Sequence, residues 1–112
     1  MTTFRTWLEG RIPVYRGKSV YNRGGKYWTT DKEWALQFTQ SGRPSEVESR
    51  WIDPDVILRL DPLPRATSEE EFDNAIEQAE EQGFAAVWFD EGPREPDSIY
   101  VLNRRALRFF HH

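Results

Sequence analysis

At 112 residues, with a formal net charge of −4 and a pI near 5.2, the chain is long enough for one domain with its own core. That charge balance argues against nucleic-acid binding through an overall field, and the absence of cysteine excludes disulfides and thiolate metal sites and points to a cytoplasm. No apolar run approaches the roughly 18 to 20 residues that span a bilayer, and the first residues lack a signal-peptide pattern, so the expectation is a soluble intracellular protein without a membrane partner.

Phe4, Trp7 and Leu8 fall at i, i+3, i+4 spacing and predict a short helix over residues 3–10. A strand over residues 12–17 follows, ending in Tyr15-Arg16-Gly17. Arginine's planar fork can hold a phosphate or carboxylate through two bonds, and glycine lets a ligand approach the backbone closely. Residues 18–25, with Lys18, Arg23 and paired glycines, read either as a hairpin-like connection or as a basic lip over a phosphate-bearing ligand. A second strand over residues 24–30 sets Tyr27 and Trp28 beside Thr29 and Thr30. The rings offer stacking surface to a planar heterocycle, and the hydroxyls can orient its polar edge. Thr30 with Glu33 makes a capping box, so a helix is expected there, burying Trp34, Ala35 and Phe38 on one face.

Residues 39–45 are loop by composition, and residues 46–60 read as extended structure broken at Asp53-Pro54. Val56, Leu58 and Leu60 would form a buried face, while Glu46, Glu48, Arg50 and Asp53 read as solvent-facing. The clearest helix spans residues 68–82: Ser68 and Glu71 form a capping box, glutamates fill the first turn, and Gly83 is the stop. Its apolar stripe is Phe72, Ala75, Ile76 and Ala79; its other face carries Glu70, Asp73, Glu77, Glu80 and Glu81. That face is a solvated surface or a dock for a basic partner. Strands are expected over residues 84–89, 99–102 and 106–110, with an acidic turn at 90–98; His111 and His112 receive no function. The element order predicts an α+β domain rather than a regularly alternating α/β one.

The order Tyr15-Arg16-Gly17, Gly25-x-Tyr27-Trp28-Thr29-Thr30, then a helix with Ala35 and Phe38, resembles the first two motifs of ADP-ribosyltransferase-fold proteins. One branch of that superfamily carries an Arg, a Ser-Thr-Ser-like stretch and a late Glu; the poly-ADP-ribose polymerase-like branch carries His-Gly, a Tyr after a glycine, and Glu. This chain is similar to the first at Arg16-Gly17 and to the second at Gly25-x-Tyr27. The resemblance covers about the first forty residues well, and the remainder by element order. It implies a single domain over residues 1–112 with a split β-sheet or sandwich core and two to three flanking helices.

The resemblance also implies NAD as substrate and no metal. Arg16 would hold a pyrophosphate or ribose oxygen, Gly17 would offer its backbone to the carboxamide, and Tyr27 or Trp28 would stack on the nicotinamide. Thr29 or Thr30 would steady Arg16 or the acid. The acid itself, at the start of a late strand, would be Asp97 or Glu95. Here the sequence departs from the family, which usually has Glu, often as Glu-x-Glu, where this chain has Glu95-Pro96-Asp97. The products would be nicotinamide and ADP-ribose on a macromolecular acceptor or water. Two other classes stay open: a non-catalytic acidic binding or inhibitor protein of phage or mobile-element type that docks on a basic host protein, and an RNA- or nucleotide-handling module using Arg16, Lys18, Arg23 and the aromatics, against which the overall negative charge counts.

Overall fold

The computed structural model describes residues 11–18, 26–60 and 62–109, so the expected helix over residues 3–10 and the connection over residues 19–25 lie outside the described residues. Six strands form one mixed sheet: β1 (Ile12–Gly17), β2 (Tyr27–Thr29), β3 (Val47–Ile52), β4 (Ile57–Leu58), β5 (Ala86–Phe89) and β6 (Ser98–Val101). Their order across the sheet is β3-β1-β2-β6-β5-β4. Helix α1 (Lys32–Leu36) follows β2, and α2 (Glu69–Gln82) lies between β4 and β5. The protein is thus a small α+β domain.

The sheet consists of two wings that barely touch. β3 and β1 are registered from Ile12↔Ile52 to Gly17↔Val47, and β2 pairs along its whole length with β6. Between β1 and β2 there is a single registered pair, Tyr15↔Thr29. Two sequence features explain so short a join. β2 has three residues before α1 begins, and Pro13 puts its missing donor on the β2 side of β1, away from β3.

Alternation along the strands sorts the core onto two faces. On one, Val14, Trp28, Ile52, Ile57, Ala86, Ile99 and Val101 pack with Leu107. On the other, Leu58, Val87 and Phe89 meet Ala75 and Ala79 of α2, with Phe72, Ile76 and Tyr100 around them. Helix α1 sits on this second face too, where Gly17 makes room for it. A Cβ there would stand 2.4 Å from the Ala35 carbonyl oxygen and 2.8 Å from the Phe38 carbonyl carbon, so the helix could not approach a larger residue.

Both helices among the described residues begin with a side-chain cap. Ser68 accepts from the Glu71 amide as expected, and Gly83 closes α2 at φ 80°. For α1 the cap is one residue later than the capping box predicts: Asp31 accepts from the Trp34 amide at 3.0 Å. Thr29, not Thr30, supports it, accepting from the Asp31 amide at 3.2 Å. Ala35 is buried, but Phe38 lies beyond the helix and is exposed. Four other expectations change. β4 stops at Leu58 and leaves Leu60 exposed; a single turn of 3-10 helix (Arg104–Ala106) replaces the start of the last strand; and among the described residues one bridge, Trp51↔Arg108, follows it. Glu48, expected in solvent, is buried. Among the described residues no helix is long and apolar enough to cross a membrane.

Candidate functional site

Where β1 and β2 part, a cavity of about 340 Å³ opens. It falls near the lower end of the roughly 300–1,000 Å³ typical of small-molecule sites. The registers Tyr15↔Thr29 and Thr29↔Ser98 line up three hydroxyl-bearing residues across β1, β2 and β6 on the face that carries both helices. All three line the cavity, with Gly17 and Tyr27 beside them and Trp34, Ala35 and Phe38 as a wall from α1 and its exit. Trp34 and Phe38 meet edge to face at 5.7 Å. Opposite, the Tyr27 ring stacks on Phe72 of α2 at 6.0 Å and meets Tyr100 edge-on at 5.0 Å, yet remains 50% exposed. Its pKa is raised, first by burial and then by Tyr100, Glu91 and Asp73.

Gly17 has a second role at this seam. The bond from the Lys18 amide to the Glu46 carbonyl, at 2.9 Å, fixes which strand residues face which neighbour. By that alternation Gly17 turns its N–H and C=O away from β3, toward the side where the β1–β2 register has ended. A donor and an acceptor from one residue therefore edge the cavity between aromatic walls.

Arg16 lines the cavity as well, but its fork is engaged by a residue that the sequence pattern hid. Both Nε and Nη2 of Arg16 lie 2.9 Å from Glu48 Oε1. Glu48 Oε2 takes Arg50 at 3.0 Å and Arg104 at 3.2 Å, and its side chain is only 9% exposed. Burial alone would push this carboxyl up. The Arg16 hydrogen bond and charge, then Arg50 and Arg104, outweigh it and hold the pKa below its usual range. Trp28, buried in the core, has the Arg16 and Arg104 guanidinium carbons 5.8 and 5.6 Å from its ring centre. Arg16 is thus a member of a three-arginine cluster around one carboxylate.

The acids at the start of β6 divide. Glu95 lines the cavity. Asp97 is not among the lining residues; its Oδ2 accepts from the Trp88 indole at 2.9 Å. Thr30 also lies outside the lining, just before the α1 cap. The structure therefore brings Arg16, Gly17, Tyr27, Trp28, Thr29 and Glu95 together and leaves Asp97 and Thr30 apart. Tyr15, Trp34, Phe38 and Ser98 join them without having been singled out for this place. Strand alternation held a signal for two: buried Val14 puts Tyr15 on the other face, and buried Ile99 and Val101 do the same for Ser98.

Glu91, half-buried near Ser98, completes the surroundings. Burial raises its pKa most; the Ser98 hydroxyl pulls it down, while Glu95, Asp97 and Asp90 push it up. Among the described residues, no group of three or more His, Cys, Asp or Glu side chains is placed to hold a metal ion. No protein-family model, curated protein or solved structure matches the chain.

Proposed function

We propose that the cavity binds the nicotinamide end of NAD, and that the protein is a small ADP-ribosyltransferase-like NAD-binding protein. The observation that carries this reading is Gly17 at the parted seam: its backbone donor and acceptor match the two halves of a carboxamide, in a cavity that Tyr27 and Trp34 also line. Stacking and paired amide bonds are what a flat amide-bearing ring requires. Arg16, held by Glu48, contributes position and charge rather than a fork of its own. Glu95 is the acid in reach of the cavity. In turnover the bond between the ribose anomeric carbon and the ring nitrogen breaks, nicotinamide leaves with the electron pair, and an acceptor or water adds to the sugar. A carboxylate beside the developing positive charge lowers that barrier.

The test is a titration with NAD followed through the Trp34 indole resonance, with nicotinamide release measured in parallel. Saturable binding, weakened about tenfold in Tyr27→Ala by loss of a stacking face, supports the site. Glu95→Gln should cut nicotinamide release about a hundredfold if the protein is an enzyme. No response at millimolar NAD overturns the proposal.

A second reading has its own observation. Glu69, Glu70, Glu71, Asp73, Glu77, Glu80 and Glu81 are all exposed on α2, a face whose charge complements a basic protein. Under that reading the protein acts by docking, and the cavity is incidental.

A further inference from the structure

The cavity has a charge gradient that a neutral amide would not use. At one end stands Arg16, paired with Glu48. At the other, the 90–97 turn gathers four carboxylates near one another, of which Glu95 reaches the cavity beside Ser98 and Tyr27. Two of them have partners elsewhere: Asp90 faces Arg65 at 3.5 Å and accepts from the Gly92 amide, and Asp97 accepts from Trp88. Glu95 lines the cavity, and Glu91 lies close enough to Ser98 and Tyr27 for both to interact with it. Among the described residues, no Lys or Arg forms an ion pair with Glu91 or Glu95.

Uncompensated carboxylates beside aromatic faces make a place for a cation. Tyr27, Trp34 and Phe38 give the cavity an aromatic lining, Glu95 adds a carboxylate to it, and Glu91 stands behind, against Ser98 and Tyr27. We infer that the cavity selects a positively charged ring, taking oxidised nicotinamide nucleotides and ring-N-methylated nicotinamide in preference to reduced or uncharged counterparts. This rests on the reading of the cavity as a nicotinamide site, and adds that charge, not shape alone, decides what enters. Burial raises the Glu91 carboxyl most, and Glu95, Asp97 and Asp90 push it further; that added repulsion is what such a cation would relieve.

The experiment compares four probes on the intact chain by calorimetry: nicotinamide, its ring-N-methylated cation, NAD and NADH. The methylated cation should bind about tenfold more tightly than nicotinamide, as a unit-charge contact in a partly exposed site gives, and NAD more tightly than NADH. Glu91→Gln with Glu95→Gln, which keeps side-chain size, should remove most of the difference. Equal binding of nicotinamide and its cation overturns the charge selection while leaving the nicotinamide site standing. A preference for the cation without any binding of NAD keeps the selection and overturns the dinucleotide reading. A preference that survives unchanged in the double variant overturns the role of these two carboxylates. Silence from all four probes at millimolar concentration overturns both.

Discussion

Two glutamates, one buried and one half-buried, sit on either side of the seam, and their surroundings pull them in opposite directions. Glu48, in the β3-β1 wing, is held by three guanidiniums and has its pKa lowered. Glu91, in the turn between β5 and β6, has carboxylates for neighbours and its pKa is raised. Loss of solvent raises both, so it is compensation that separates them. A compensated carboxylate organises the chain around itself, whereas an uncompensated one is left with charge to offer a ligand.

The comparison is broken most severely at Glu48. Glu48→Ala leaves three arginines facing one another without their acid, and should cost about 3–5 kcal/mol in urea unfolding, the usual penalty for removing one partner of a buried ionic group. The pH dependence has a definite sign. Glu48's folded pKa lies below its ordinary value of 4.5, so its stabilisation is complete above that value and is lost as pH falls through the lowered folded one. Stability of the parent protein should thus fall more steeply in acid than that of Glu48→Ala.

Arg50→Ala is a gentler cut. It removes the Glu48 contact, a bond of 2.7 Å from Nη1 to the Ser49 carbonyl, and a guanidinium 4.0 Å from the Phe109 ring centre. Arg16 and Arg104 still hold the acid, so the expected loss is about 1–2 kcal/mol in the same assay.

Glu91→Gln should act with the opposite sign. A raised folded pKa means that ionisation of Glu91 costs stability as pH rises through that value, and the cost is absent well below the ordinary value. The variant should therefore be more stable than the parent at pH about 8, by less than about 1 kcal/mol once solvent screening is allowed for, and indistinguishable from it in acid. A destabilised Glu91→Gln at that pH would show that Glu91 is compensated after all.

What could be read in the sequence is what lies in local order. β1 occupies the expected residues 12–17 because its limits are set by alternation and a terminal glycine. Helix α2 keeps both expected ends because Ser68, Glu71 and Gly83 act within one turn of where they stand. The start of α1 shifted by a residue because Thr30 and Asp31 can each cap, and Asp31, whose backbone amide donates to the Thr29 hydroxyl, makes the bond through its carboxylate. The Glu48 cluster was not legible. Glu48 and Arg50 alternate like any solvated strand, and its other partners come from 32 and 56 residues away. At the candidate site, the separation of Glu95 from Asp97 depended on the register of β6 against β2, which places Ser98 opposite Thr29. No pattern within residues 90–98 contains that register.

The bridge at Arg108 changes what the sheet presents to its surroundings. With β3 outermost on one side, the backbone groups of Val47, Ser49 and Trp51 point away from β1. The Val47 amide bonds to the Pro44 carbonyl, the Ser49 carbonyl to Arg50, and both groups of Trp51 to Arg108. At the opposite border, β4 offers only two residues. An extended segment of another molecule would find most of its template used on one side and too short on the other. The chain thereby guards against the edge-to-edge growth that leads open sheets into aggregates.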